Sequence, residues 1–304
     1  MADETAPEAR RCGFVALLGA PNVGKSTLLN ALVGSKVSIV SPKVQTTRSR
    51  VLGICIRDAA QIIFVDTPGI FEPRRRLDRA MVRAAWQGAS DADLIALLVD
   101  AKLGIDRDTR GIVKSLRKTE RKAILVLNKI DVVKRTTLLQ LAEALNGEGV
   151  FTDIFMISAL TGDGIDDFAR HLAGRVSEGP WLFPEDQITD IPMRLLAAEI
   201  TREKLYLQLH QELPYSAAVE TESWEDFDDG SVRIGQIIYV QRSSQKAIVL
   251  GKGGQRIKAL GAAAREELMV LLDRKVHLFI HVKTREKWAD DPERYRDLGL
   301  DFDV

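Results

Sequence analysis

Gly19-Ala20-Pro21-Asn22-Val23-Gly24-Lys25-Ser26 has the spacing GxxxxGK[ST], and Thr27 follows it directly. Glycines let consecutive backbone N–H groups close on phosphate oxygens, a lysine in this place reaches β and γ phosphates, and a serine hydroxyl suits Mg2+. Val23 and Thr27 belong to the same cradle. Asp66-Thr67-Pro68-Gly69 adds a carboxylate and a glycine. Asp66 is expected to hold Mg2+ through water, and the Gly69 N–H to sense the γ-phosphate. Asn128-Lys129-Ile130-Asp131 and Ser158-Ala159-Leu160 complete the set. An aspartate can accept both N–H donors on the N1 and N2 edge of guanine, whereas adenine offers no such pair, so Asp131 selects GTP over ATP. Asn128 is expected to brace the loop and the base, Lys129 to lie along the ring, Ser158 to close the last loop, and the Ala159 N–H to donate to O6.

A second candidate lies far down the chain. Leu250-Gly251-Lys252-Gly253-Gly254-Gln255-Arg256-Ile257 contains GxxG between two helical patterns. Such a loop lets a nucleic-acid backbone pass close to a helix N-terminus. From Arg242 to Lys287, eleven basic residues stand against four acidic ones, while Ser216 to Ser231 carries six acids and no base. A solvated helix face usually mixes signs, so this segregation favours a polyanionic partner. Lys246, Gly251, Lys252, Gly253, Gly254, Arg256, Ile257 and Lys258 are the candidate RNA-binding residues.

The elements that must position these groups follow from the apolar pattern. Phe14–Leu18, Ile62–Val65, Leu94–Val99, Ile124–Leu127 and Ile154–Ile157 are short apolar runs separated by amphipathic stretches, including a helix from Thr27 to Val33. That rhythm predicts an α/β domain with a mainly parallel sheet and helices on both faces, whose ligands sit at the carboxyl ends of the strands. After Ser177 the stretch GPWLFPEDQITDIP reads as a linker. Met193–His210 then has helical spacing and is stopped by Pro214. Strands at Tyr215–Glu222 and Val232–Val240, helices at Ser244–Leu250 and Gln255–Leu272, and a strand at Val276–Val282 complete an αββααβ order. The expected boundaries are a loose tail over 1–11, a GTPase domain over 12–178, a linker over 179–191 and an α+β domain over 192–304.

At 304 residues two cores are the natural expectation. With 45% hydrophobic and 28% charged residues, global disorder is excluded. Lysine plus arginine and aspartate plus glutamate balance at 43 each, so the total charge announces no partner. Cys12 and Cys55 form no CxxC pair, and a reducing cytosol fits. The polar N-terminus MADETAPEARR does not read as a secretory signal, and the apolar runs are too short to span a membrane.

The nucleotide motifs resemble those of the translation-factor-like GTPases. In Lys43 to Arg48, KVQTTR, the resemblance implies a switch threonine that ligates Mg2+ just before the arginine. Thr47 takes that place, with Thr46 as the alternative. Pro-Asn before Val-Gly-Lys resembles the potassium-responsive branch, so Asn22 would help hold an activating K+. Lys25, Thr47, Asp66, Gly69 and Asn22 are therefore the expected catalytic set. Ile70 stands where many relatives carry a water-orienting glutamine, which implies slow intrinsic hydrolysis.

The order αββααβ with GKGG looks like a bacterial, type II KH fold. Joined to a GTPase through FPEDQITD and followed by WADD, it resembles the Era family of ribosome-assembly GTPases along nearly the whole chain. That resemblance implies binding to the 3′ end of small-subunit ribosomal RNA and a role in 30S assembly. It also implies a cytoplasmic monomer without a DNA partner, with weak peripheral membrane contact left open. Two other readings compete: a GTPase whose second domain docks a membrane or protein, and a passive RNA-binding protein with a vestigial P-loop. The basic GxxG loop speaks against the first, and intact Lys25, Ser26, Asp66 and Asp131 against the second. His277 and His281 have no third ligand nearby, Trp181, Trp224 and Trp288 read as packing or interface residues, and Arg74-Arg75-Arg76 as a mobile surface.

Overall fold

Runs of Leu, Ile and Val between polar turns favour extended backbone that is buried on both faces, and each run named above forms a strand. The computed structural model describes residues 9–43, 46–48, 50–73, 75–209, 217–286, 292–297 and 299–304. Two compact units are present, one of residues 1–37 and 47–190 with Val304, the other of 38–46 and 191–303.

In the first unit, β1 (Arg11–Leu18), β2 (Val51–Arg57), β3 (Ala60–Asp66), β4 (Leu94–Asp100), β5 (Ala123–Asn128) and β6 (Phe151–Ile157) form a sheet in the order β2-β3-β1-β4-β5-β6. All neighbours are parallel except β2, which runs antiparallel to β3 from Val51↔Asp66 to Arg57↔Ala60. The strand β2 was not anticipated from the sequence. Arg11, assigned there to a loose tail, opens β1 instead, and its guanidinium bonds the Val176 carbonyl at 3.0 Å. The helices α1 (Lys25–Val33), α2 (Arg76–Asp91), α3 (Arg107–Lys118), α4 (Arg135–Asn146) and α5 (Ile165–Arg175) connect the strands. Leu97, Val99, Leu125 and Leu127 meet Ile112, Leu116, Leu138 and Leu145 in a core that fixes the strand ends.

The stretch after Ser177 is tied down rather than loose. Gln61 is fully buried in β3, where its Oε1 accepts the N–H groups of Leu182 and Phe183 at 2.9 and 3.0 Å and its Nε2 donates to the Phe183 carbonyl at 2.8 Å. The Ile54 N–H donates to the Ile188 carbonyl and Thr189 Oγ1 to the Leu52 carbonyl, so the segment caps the free edge of β2.

The second unit contains α6 (Met193–Gln208), β7 (Ala217–Asp226), β8 (Val232–Val240), α7 (Ser243–Leu250), α8 (Gln255–Leu272), β9 (Val276–Thr284) and α9 (Pro292–Asp297). Its sheet order is β7-β8-β9, with β8 antiparallel to β7 and parallel to β9. The first six elements give αββααβ. Leu205, Leu209, Ile238, Val249 and Leu260 share one core; Leu196, Ile200, Ile234 and Leu268 share another. His210, Pro214, Tyr215, Trp288 and the WADD segment lie outside the described residues.

Candidate nucleotide site and RNA-binding loop

The five parallel strands end at one rim, and the motifs beginning at Gly19, Asp66, Asn128 and Ser158 each stand at the end of one of them, whereas Thr47 lies between α1 and β2. Between β1 and α1 the loop is fitted to glycine. Gly24 has φ 100°, and a Cβ there would stand 2.3 Å from Asn128 Nδ2. At Gly69 a Cβ would reach within 2.9 Å of Pro21, which explains glycine after Asp66-Thr67-Pro68. Thr67 Oγ1 donates to the Leu17 carbonyl at 2.8 Å and fastens this turn to β1. Gly19 accepts from the Ile70 N–H at 3.1 Å, and buried Ile70 brings no polar side chain to the loop.

Lys25 is 6% exposed, and its Nζ donates to the carbonyls of Gly19 and Ala20 at 3.0 Å each. Burial lowers its pKa to about 8, partly offset by the Asp66 carboxylate. Triphosphate oxygens held beside Nζ, as expected for this loop, would favour the charged ammonium and raise this value. Above pH 8 nucleotide binding is therefore coupled to proton uptake, and affinity is expected to fall about tenfold per pH unit until the pKa of the complex is reached. Calorimetry in buffers of different ionisation enthalpy measures that uptake; an affinity that stays flat from pH 7.5 to 9.5 contradicts it.

Three oxygens converge beside Lys25. Ser26 Oγ lies 2.7 Å from Asp66 Oδ2 and 2.9 Å from Thr47 Oγ1, and Thr47 Oγ1 lies 3.4 Å from Asp66 Oδ2. One buried carboxylate and two hydroxyls form a hard-oxygen donor set, which fits Mg2+ held jointly with phosphates and water. Such an ion would neutralise charge on the transferring phosphate. Thr46, the alternative, bonds Ser41 Oγ at 2.9 Å and the Lys43 carbonyl at 2.8 Å instead. Val44 and Gln45 of the same segment are outside the described residues.

The loops expected to read the base are stitched together by side chains. Asn128 Nδ2 donates to the Val23 carbonyl at 2.7 Å, joining the end of β5 to the phosphate loop. Its Oδ1 accepts the Ala159 N–H at 2.9 Å. That N–H, expected from the sequence to face guanine O6, is thus engaged in bracing the loop. Ser158 Oγ donates to Asp131 Oδ1 at 2.6 Å and orients the carboxylate. Lys129, at φ 67°, donates to the Asn22 carbonyl at 2.8 Å and to Asp100 Oδ2 at 2.6 Å. Asp100 was missed in the sequence because it ends an apolar run without a motif around it. Thr27 lies in the first turn of α1, and Asn22 is exposed at φ 62°.

In the second unit, Gly251 has φ 73°, and a Cβ there would meet Arg256 Cβ at 2.7 Å. Gly253 and Gly254, at φ 60° and 75°, have open space where their Cβ atoms would be, at the N-terminus of the 18-residue α8. Among the described residues no ion pair joins Lys246, Lys252 or Lys258 to a carboxylate. Two candidates have structural duties: Ile257 packs against the core, and Arg256 Nη1 donates to the Ile248 carbonyl at 2.7 Å, capping α7. The charge segregation read from the sequence is partly cancelled in space. Arg274 pairs with Asp226 at 2.7 Å, Lys283 with Glu222 at 3.5 Å and Arg233 with Glu225 at 3.9 Å, leaving the loop end as the basic end.

The remaining features have local explanations. Trp181 Nε1 donates to the Ala59 carbonyl while Arg10 stacks on its ring, and Trp224 lies under Arg274. His277 meets the edge of Phe227, and no cluster of metal-ligating residues occurs among the described residues. Arg75 caps α2 with Asp78, while Arg74 is outside the described residues. No helix among the described residues is long and apolar enough to cross a membrane.

Comparison with known proteins agrees with this geometry. Residues 14–129 match the model of the 50S ribosome-binding GTPase family, and residues 212–289 that of the KH domain. GTPase Era of Sinorhizobium medicae is 63% identical over 292 residues, 96% of this chain and 94% of the relative. GTPase Era of Brucella suis is 59% identical, covering 98% and 96%. A crystal structure of Era in complex with MgGDPNP and nucleotides 1506–1542 of 16S ribosomal RNA superposes with a TM-score of 0.90 at 43% identity, over 95% of this chain and 99% of that one. A variant of Aquifex aeolicus Era bound to GDP and AlF4− gives the same TM-score, identity and coverage. With a GTPase unit and a KH unit in the same order and similarity along nearly the whole length, this chain belongs to the Era family of GTPases.

Proposed function

We propose that this GTPase binds single-stranded small-subunit ribosomal RNA near its 3′ end and assists assembly of the 30S particle, its GTP state setting the grip. The observation that carries the reading is the Gly251–Gly254 loop: two left-handed glycines with nothing above them, at a helix N-terminus, beside Lys252 and Lys258. The 43%-identical Era of known structure was crystallised with a 16S ribosomal RNA fragment, which supports the same target here. Cross-linking the protein to cellular RNA and sequencing the adducts tests this. Enrichment at the 3′ end of the small-subunit RNA is expected, and adducts spread evenly over unrelated RNA would overturn it. A monomer acting in the cytoplasm, with any membrane contact peripheral, completes the proposal.

Mg2+ would be held by Ser26, Asp66 and Thr47, and a K+ ion by the side-chain oxygen of Asn22. The amide of exposed Asn22 stands on the phosphate loop, where a monovalent cation could stabilise charge developing on the phosphates. With Ile70 in place of a polar residue, hydrolysis without such an ion would be slow. Turnover is expected to be roughly tenfold faster in potassium than in sodium at equal ionic strength, and Asn22→Ala should remove most of the difference. Equal wild-type rates in the two salts would refute the potassium role.

A further inference from the structure

The helix α3 of the first unit has two faces of opposite character. Ile112, Val113 and Leu116 are buried and share a core with Leu97 and Leu125. On the other side Arg107, Arg110, Gly111, Lys114 and Lys118 follow the spacing i, i+3, i+4, i+7 and i+11 of one helix face, and all five are exposed. From Arg107 to Lys122 there are seven basic residues and two acidic ones, Asp108 and Glu120. Four of the seven bases have local partners. Arg107 pairs with Glu72 at 2.8 Å and Arg117 with Glu148, while Arg121 donates to the Ser90 carbonyl at 3.1 Å and Lys122 to the Gly149 carbonyl at 2.7 Å. The other three, Arg110, Lys114 and Lys118, form no ion pair or side-chain hydrogen bond among the described residues.

Helix stability does not account for this face. Lys114 stands four residues from both Arg110 and Lys118, and like charges at that spacing repel. Arg107 and Arg110 lie in the first turn, at the positive end of the helix dipole, where acids are the favourable residues. Gly111 is a poor helix former, and a Cβ there would meet nothing within 4 Å, so packing does not demand glycine. A bare stretch of backbone among unpaired cations suits a ligand that carries repeated negative charge and approaches closely. The stripe has no aromatic side chain, so it offers contacts for phosphates and no stacking surface for bases. Its 12 residues make a straight edge about 18 Å long. A regular duplex backbone, recognised by shape and phosphate, fits such an edge.

We propose that the α3 face of Arg110, Gly111, Lys114 and Lys118 is a second RNA-binding surface, carried by the GTPase unit itself, which takes the phosphate backbone of duplex RNA without reading its sequence. This rests on the RNA partner proposed above, whose single strand is assigned to the Gly251–Gly254 loop. The two contacts differ in kind. Each phosphate neutralised on α3 releases a counterion, so this surface adds to the salt dependence of binding and leaves base preference to the loop.

The experiment uses the full chain and two probes, a blunt RNA duplex of about 20 base pairs and a single strand of about six nucleotides, long enough for a GxxG groove. Arg110→Gln, Lys114→Gln and Lys118→Gln combined are expected to weaken duplex binding at low salt by roughly thirtyfold and to flatten its salt slope by about 2 to 3. Short-strand affinity, GTP affinity and turnover without RNA should be unchanged. Gly111→Glu places charge and bulk on the same stripe and should weaken duplex binding by roughly tenfold. It should melt no lower than the wild type, since glutamate is the better helix former. The duplex should also protect Lys114 and Lys118 from acetylation, with exposed Lys134 as the reference. A triple variant that binds the duplex like the wild type, salt slope included, overturns the proposal. Weakening confined to phosphatidylglycerol vesicles overturns it too and assigns the face to a membrane. If the triple variant does not fold, Gly111→Glu decides by the same criteria. Lys252→Asp with Gly253→Asp separates the two readings. Loss of the short strand with duplex binding retained supports both. Retained short-strand binding removes the loop reading alone, and the duplex still decides α3. Loss of the duplex there, with none in the α3 variants, overturns the α3 surface.

Discussion

Asp131→Asn is expected to weaken GTP binding by two to three orders of magnitude and to give the protein measurable affinity for XTP. With Asp131 as the proposed guanine reader, its carboxylate would accept two N–H donors of the base, and replacing these charge-assisted bonds by an amide that presents its own donors would cost about 3–4 kcal/mol. The local geometry fixes how the new side chain would sit. Ser158 Oγ donates to Asp131 Oδ1 at 2.6 Å, so an asparagine keeps its carbonyl oxygen on Ser158 and turns its NH2 toward the base. Guanine meets that group donor to donor, whereas the extra carbonyl of xanthine accepts from it. Titration with labelled GTP, ATP and XTP measures the exchange. A variant that keeps the wild-type preference for GTP would show that another residue reads the base.

The GTPase class was legible in the sequence because its motifs are carried by neighbours in the chain. A phosphate cradle needs successive N–H groups, and the proposed guanine reader and its brace, Asp131 and Asn128, lie three residues apart in the chain. Contacts between distant segments were not legible. Asp100 enters through Lys129, whose partner depends on β4 and β5 lying side by side. The strand β2 breaks the alternation of strand and helix, and its Gly53 is fitted against Leu29, where a Cβ would come within 2.4 Å of Cδ1. The proline-rich stretch after Ser177 reads as a linker by composition, yet one buried amide, Gln61, binds three of its backbone groups.

The spatial distribution of charge was legible only in part for the same reason. The acids between Ser216 and Ser231 are separate in the chain from the later bases, but the sheet order β7-β8-β9 brings Asp226 to Arg274 and Glu222 to Lys283. Conversely, Glu199, Arg202 and Glu203 have the composition of a solvated face and are covered by a loop more than a hundred residues earlier. The helical spacing of such polar groups marks a face but does not say what covers it. The apolar stripe of α6, by contrast, was read correctly, since burial against its own sheet follows the 3.6-residue period.

The second domain yields the most direct test of the RNA reading. Replacing Lys252 and Gly253 together by aspartate would put two carboxylates where, on the proposed reading, phosphates pass, in place of one ammonium and an open backbone. The change is tolerable locally. Gly253 sits at φ 60° and ψ 22°, a left-handed conformation that aspartate adopts more readily than most residues, and nothing lies within 4 Å of its built Cβ. Neither side chain belongs to the apolar core, so GTP affinity should remain at the wild-type value and serves as the control for folding. Affinity for single-stranded RNA should fall on the order of a hundredfold, since repulsion and side-chain bulk act on the same backbone path. Lys258→Ala is the milder companion. If Lys258 contacts one phosphate as proposed, affinity should drop modestly and the slope of log affinity against log salt should flatten by about 0.7. Arg256 is the wrong residue for this purpose, because its bond to the Ile248 carbonyl would be lost as well and the cap of α7 with it. Both variants are measured at several salt concentrations. If the double-aspartate protein binds RNA like the wild type with its salt dependence intact, the loop is not where the RNA backbone passes, and a second domain that docks a protein or membrane becomes the better reading.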